Sequence, residues 1–338
     1  MRLLQKECGK CLRHPFLWIV CITFGLFQFL SIYTYVGNAG MRKELRQMHV
    51  AVTDEETASP EYESAYADYK KTYGGMYDTL DMHKILEQKE KKSGYEPQGV
   101  WGSWIVRNYD RLQKRVEQIR KTGEGTYAFY PGNWYKLHTT LYGKLWKKLI
   151  LQTAVLMILS MLYLMDYERI YKTQDLVLAT TTGKKMMEKK MLAGTLCGLF
   201  YAGLLTVFTL LVFFAAVPFQ NLWHVPVAAC MVAEPRLQMM YPFVTFWWLE
   251  QWRYLLLALV VLVGLLGIVA AVTAAVQLFL QNSYFSFAVL GLLFMGAYLL
   301  AYVQMGNVWD LIRELFNPTV LYLSLIHISE PTRPLYIS

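Results

Sequence analysis

The chain has 338 residues, of which 55% are hydrophobic and 17% charged, with a formal net charge of +8. Soluble domains average about 25% charged and about 45–50% apolar residues, so this balance excludes an ordinary water-soluble fold and points to lipid. The positive excess sits in short flanks of apolar blocks, which marks a membrane-facing distribution and excludes a nucleic-acid surface.

A bilayer-crossing helix needs about 20 mostly apolar residues. In chain order, such blocks occupy residues 15–36, 149–165, 191–218, 254–280 and 284–303. The last two belong to one long uncharged stretch between Arg253 and Asp310, interrupted by Gln281, Asn282 and Ser283. The expected fold is therefore all-α: a polytopic membrane protein with five spans and a helical extracytoplasmic domain between the first and second. The first block follows a basic segment, residues 1–14, as a signal peptide would. Its apolar core exceeds the usual 7–15 residues of such a peptide, which favours an uncleaved anchor.

Basic flanks set the expected orientation. Arg2, Lys6, Lys10 and Arg13 precede the first span, and Arg169, Lys172, Lys184, Lys185, Lys189 and Lys190 lie between the second and third. The N-terminus, residues 166–190 and the turn 281–283 are thereby assigned to the cytoplasm. Residues 37–148, 219–253 and 304–322 fall outside, the last as an amphipathic segment. The expected location is the cell membrane.

The large exposed domain reads as helical. Ser59, Pro60 and Glu61 form a helix start, with a capping residue, proline at the first helical position and an acid in the first turn. Tyr62, Tyr66, Tyr69, Tyr73 and Tyr77 then recur at helical spacing, a stripe better suited to a helical-hairpin core than to a ligand surface. A second helix is expected over residues 100–121, where Ile105, Tyr109, Leu112, Val116 and Ile119 make a packing seam. A third is capped by Asn133 and runs through Leu141 and Leu145 into the second span. None of the five cysteines (Cys8, Cys11, Cys21, Cys197 and Cys230) falls in this domain, so it is not a disulfide scaffold. Cys8 and Cys11 form a CxxC without a second pair; half of a zinc site and two membrane-proximal thiols are the alternatives.

Catalytic machinery is not evident. Gly183-Lys184 lacks the earlier glycine and the strand of a phosphate-binding loop, because Leu178 stands at the first glycine position. No HExxH occurs. The apolar blocks contain no Asp, Glu, Lys or Arg, whereas ion-driven transporters depend on intramembrane ionisable groups. Gln28, Ser31, Gln152, Ser160, Thr206, Thr209, Thr273 and Gln277 remain, and such groups are expected to hydrogen-bond between helices. The sequence therefore names no catalytic, metal or cofactor residue. If the protein moves a substrate, another polypeptide must supply the energy.

That requirement focuses interest on residues 166–190. Leu176, Val177, Leu178 and Ala179 form a short apolar patch flanked by Thr180, Thr181, Thr182, Gly183 and basic residues. The patch suits a partner's groove, and an amphipathic connector is the competing reading.

With an acid after the second span (Glu168), a Lys-Thr pair (Lys172, Thr173), the Leu-rich stretch from Leu176 through Leu178 to Thr180, a Gly-basic turn (Gly183, Lys184) and Lys189 opening the third span, the chain resembles the permease subunit of type-2 ATP-binding-cassette exporters. The insert 37–148 and the segment 307–317 match that layout, although Thr-Thr-Gly stands where Thr-Pro is commoner. The resemblance implies an export pathway in the cell membrane, a second permease subunit as partner, and a separate cassette ATPase that binds the ATP. Glu168, Lys172, Thr173, Leu176, Leu178, Thr180, Gly183, Lys184 and Lys189 would form the ATPase-coupling interface. A multi-span membrane sensor or assembly protein without transport is the alternative class.

Residues 323–333 resemble the translation of a sequencing-library adapter, and 334–338 its read-through. A natural sequence continuing past Tyr322 into a sixth span is the expectation.

Overall fold

The structure, a computed structural model, describes residues 2–38, 42, 67, 76–84, 86–87, 99–123, 137–172, 183–217, 219, 222–229, 231–234, 239–242 and 248–300. The Ser59 helix start, the tyrosines from Tyr62 to Tyr73, the Asn133 cap, Cys230 and everything from residue 301 onward lie outside them.

Helix α1 (Arg2–Leu12) ends at a short corner, and Pro15 opens α2 (Pro15–Gly37). Proline suits that first position, where the missing N–H would have had no helical partner. Then come α3 (Met76–Thr79), α4 (Gly99–Thr122), a π-helical segment (Thr139–Leu145) and α5 (Trp146–Met165). They are followed by the single turn α6 (Tyr167–Ile170), α7 (Gly183–Ala216), a 3-10 turn (Val227–Ala229), strands β1 (Met231–Glu234) and β2 (Met239–Pro242), α8 (Gln251–Leu280) and α9 (Ser283–Leu300).

Among the described residues, four helices are long and apolar enough to cross a membrane: Pro15–Gly37, Thr140–Ile170, Met186–Ala216 and Gln251–Leu280. The 23 residues of α2 span about 35 Å at 1.5 Å per residue, enough for a hydrocarbon core of about 30 Å. The fifth apolar helix is shorter, covering Ser283–Gly296 among residues with described side chains. Gln281 adopts a φ of 50°, and the Asn282 side chain accepts from the backbone N–H of Tyr284 at 3.0 Å, which caps α9 and separates it from α8.

Two differences from the sequence reading concern local structure. Residues 219–253, expected as a plain loop of an all-α chain, hold the antiparallel pair β1–β2, with Met231 opposite Pro242 and Glu234 opposite Met239. Second, α7 starts at Gly183, eight positions before the expected span, so Lys184–Lys190 are helical and the connection after α6 is shorter than 166–190.

The chain divides into two compact units. The first comprises Met1–Gly37, Gly143–Val217 and Leu259–Gly296. Within it α5 is the central helix: 72% of its apolar window is buried, against 28% for α2 and 33% for α7. Helix α7 packs along α5, α2 packs on both, and α1 packs on α7 and α5. The close approach of α5 and α7 depends on Gly194 and Gly198, four residues apart on α7. A Cβ at Gly194 would stand 3.2 Å from the Met161 Cα, and one at Gly198 would stand 3.1 Å from the Met157 Cα. Small residues at this spacing let backbones meet in lipid, where no hydrophobic effect drives helices together.

The polar side chains of this unit behave unevenly. Gln28 donates to Gln152 between α2 and α5 at 2.7 Å, and Lys148 donates to Ser31 at 3.1 Å. Ser160, Thr206, Thr209 and Thr273 instead donate to their own helix four residues back, to Leu156, Ala202, Leu205 and Val269. A short hydroxyl reaches its own carbonyl more easily than a neighbouring helix.

The second unit comprises Asn38–Tyr142, Pro218–Ala258 and Ala297–Ser338. Its core gathers Tyr77, Met82, Leu112, Val116, Ile119 and Ala228, with Leu80 and Tyr109 packed against them. The expected α4 seam is thus buried at Leu112, Val116 and Ile119. Arg120 donates to the carbonyls of Tyr77, Asp78 and Leu80, satisfying the groups exposed where α3 ends. Tyr77 donates its hydroxyl to the Ala228 carbonyl at 2.5 Å.

Candidate functional site: a charged cluster at the base of the α6–α7 connection

Helix α5 ends at Asp166, whose backbone N–H still bonds the Leu162 carbonyl while its ψ near 1° leaves the helical path. One new turn, α6, follows and carries Glu168 inward, with 7% of its surface exposed. The connection returns as α7, where Lys190 is only 4% exposed. Glu168 receives two ammonium groups from two helices: its Oε2 pairs with Lys190 of α7, and its Oε1 lies 3.3 Å from Lys10 Nζ of α1. Lys10 also sits 2.6 Å from Glu7 Oε1, one turn back on its own helix, and 4.4 Å from the Tyr167 ring centroid.

Charges in such a position are costly unless paired, because burial strips their hydration. Here one carboxylate satisfies two cations, so three helices are held at one point. The balance is tilted towards negative, since Glu7, Asp166 and Glu168 are buried beside Lys10 and Lys190. Glu7 Oε2 has no hydrogen-bond partner among the described residues.

Of the expected interface residues, Glu168 lies in this cluster and pairs within the chain. Lys172 is exposed and turns the backbone at φ 55°, in the left-handed region uncommon for a side chain of its size. Lys189 is exposed beside the buried Lys190. Gly183 and Lys184 begin α7. Thr173, Leu176, Leu178 and Thr180 lie outside the described residues. The structure therefore brings Glu168 to Lys190 and Lys10, and it turns Lys172 and Lys189 to solvent.

Sequence reasoning missed Glu7 and Lys10 as members of this site. A signal existed: Leu4, Glu7 and Cys11 recur at helical spacing in α1, and an acid on an otherwise apolar face needs a partner. The CxxC lies on the α7 side of the same helix. Cys197 Sγ lies 3.8 Å from the Cys8 carbonyl, and Tyr201 donates to the Cys11 carbonyl at 3.4 Å. Burial is the largest cause raising the Cys8 thiol to about 11, with Cys197 next. Among the described residues, no three His, Cys, Asp or Glu side chains are placed to hold a metal ion.

No family model, curated protein or solved structure matches the chain.

Proposed function

We propose that this chain is the transmembrane permease subunit of an ATP-binding-cassette exporter, coupled through the connection between α6 and α7 to a separate ATPase. In this reading five spans form one half of the export pathway, and a second permease subunit supplies the other. The N-terminus and the α6–α7 connection face the cytoplasm, residues 37–148 lie outside, and the chain itself is no enzyme. ATP is bound by the partner.

The observation that carries the reading is the Glu168–Lys190 pair, which closes the base of a connection bearing the apolar patch of Leu176 and Leu178. A loop that receives force must be anchored to the helices it is to move, and this one is tied to α5, through α6, and to α7. Lys10 adds α1 to the same anchor. Glu168 thus acts from the base of the loop, and the contact surface belongs to Leu176, Leu178, Thr180 and the exposed cations. Coupling further requires that the loop bind two ATPase states with unequal affinity.

The test is co-purification of the membrane-inserted chain with the cassette ATPase encoded beside it. The wild type should retain the ATPase, whereas Leu176→Asp/Leu178→Asp should insert normally and lose it. Equal retention by both would remove the loop from the mechanism, and a neighbouring sensor kinase captured in place of an ATPase would favour signalling.

A further inference from the structure

Helix α1 presents a second face that the ion cluster does not use. Lys6 lies on α1, and Arg13 follows its last residue with the backbone N–H still bonded to the Gly9 carbonyl at 3.2 Å, so the two share one side at about 100° per residue, while Glu7 and Cys11 are buried on the side packed against the bundle. Both cations are exposed, and neither meets an acid among the described residues.

The depth of this face follows from what α1 touches. Its carbonyls at Cys8 and Cys11 meet Cys197 and Tyr201, so α1 lies along the part of α7 between Lys190 and Tyr201. Over that same stretch α7 exposes Leu192, Leu196 and Phe200, each between 44% and 45%. Three large apolar side chains spaced by four residues form one stripe, and leaving it in water is costly. Acyl chains would cover it. Trp18, at the corner between α1 and α2, is 37% exposed and donates to the Leu12 carbonyl, in the way tryptophan occupies a membrane–water boundary. Apolar α7 surface and basic α1 surface thus meet at one level.

We infer that the outer face of α1 binds anionic phospholipid, with Lys6 and Arg13 on the headgroup and the Leu192–Leu196–Phe200 stripe against an acyl chain. Charge selects the lipid class: a zwitterionic headgroup offers no net attraction to a two-cation face, whereas phosphatidylglycerol does. The inference needs only a membrane-embedded chain and does not depend on any ATPase.

The experiment places the full chain in phosphatidylcholine bilayers without nucleotide or partner. Spin-labelled phosphatidylglycerol and phosphatidylcholine then report the fraction of each lipid held immobile at the protein. Phosphatidylglycerol should be preferred. The preference should fall about fivefold for each cation removed, and so be lost in Lys6→Gln/Arg13→Gln, and shrink likewise for the wild type in about 1 M salt, which screens exposed charges. Lys114→Gln/Lys121→Gln, on α4, should leave it unchanged. The salt series needs no variant, so a poorly folding double substitution does not block the test. Equal association of both lipids with the wild type, or a preference that survives substitution and salt, overturns the inference. So does equal association accompanied by Lys6- and Arg13-dependent capture of an acidic protein, which would assign the face to that protein.

Discussion

Glu168 and Lys190 form a buried ion pair across the ends of the α6–α7 connection, 22 residues apart in sequence, and Lys10 reaches the same carboxylate from α1. Removing one partner of such a pair leaves the other charged and dehydrated. Glu168→Gln should therefore destabilise the bundle by about 3–5 kcal/mol, while Glu168→Leu with Lys190→Met should recover much of the loss. Thermal unfolding in detergent measures both. A Glu168→Gln midpoint no lower than that of the exposed control Glu188→Gln would contradict the account.

Gly198 should tolerate almost no side chain. Its Cβ would meet the backbone at Met157 Cα, 3.1 Å away, which cannot swing aside as a flexible side-chain end can. Gly198→Leu should force α5 and α7 apart and cost about 1–3 kcal/mol, as overpacking generally does. Gly203, with open space around its Cβ position, is the matched site, and Gly203→Leu should be far milder. Relative midpoints of the two variants decide the matter.

The Gln28–Gln152 bond should matter less than its burial suggests. It is 2.7 Å long and joins α2 to α5, yet interhelical hydrogen bonds inside membranes average about 0.6 kcal/mol of coupling. A double-mutant cycle with Gln28→Leu and Gln152→Leu should return a value of that order. A coupling above about 2 kcal/mol would mean that the pair sets the position of α2.

Cys8 should be a poor nucleophile despite being partly accessible. Burial first, and Cys197 next, raise its thiol from 9.0 to about 11. Only the thiolate reacts, so at pH 7 its reactive fraction is roughly one hundredth of an ordinary thiol's. Because the folded value is raised, deprotonation is deferred upward, and alkylation by iodoacetamide should keep accelerating about tenfold per pH unit to pH 10. Mass spectrometry of the modified peptide gives the rate. A plateau near pH 9 would show an unperturbed thiol.

The apolar blocks at 15–36, 149–165, 191–218 and 254–280 were legible because lipid imposes a length and a charge-free composition that periodicity cannot mimic. The α4 seam was legible for a related reason: Leu112, Val116 and Ile119 repeat at helical spacing, and burial follows the repeat. The α7 start was not, because the lysines from Lys184 to Lys190 look like a loop in composition. Charge does not forbid helix, and long cationic side chains can lie along one. The β1–β2 pair escaped notice because four-residue strands leave too little alternation to detect.

Composition and spacing by themselves determined that this chain is helical and built for a bilayer, since those properties are sums over local stretches. Which hydroxyls would turn back on their own helix, that Gly194 and Gly198 would admit Met161 and Met157, and that Glu168 would find Lys10 and Lys190 were decided only by the fold. Each depends on two segments far apart in sequence meeting within a few ångströms, and no local pattern encodes that distance.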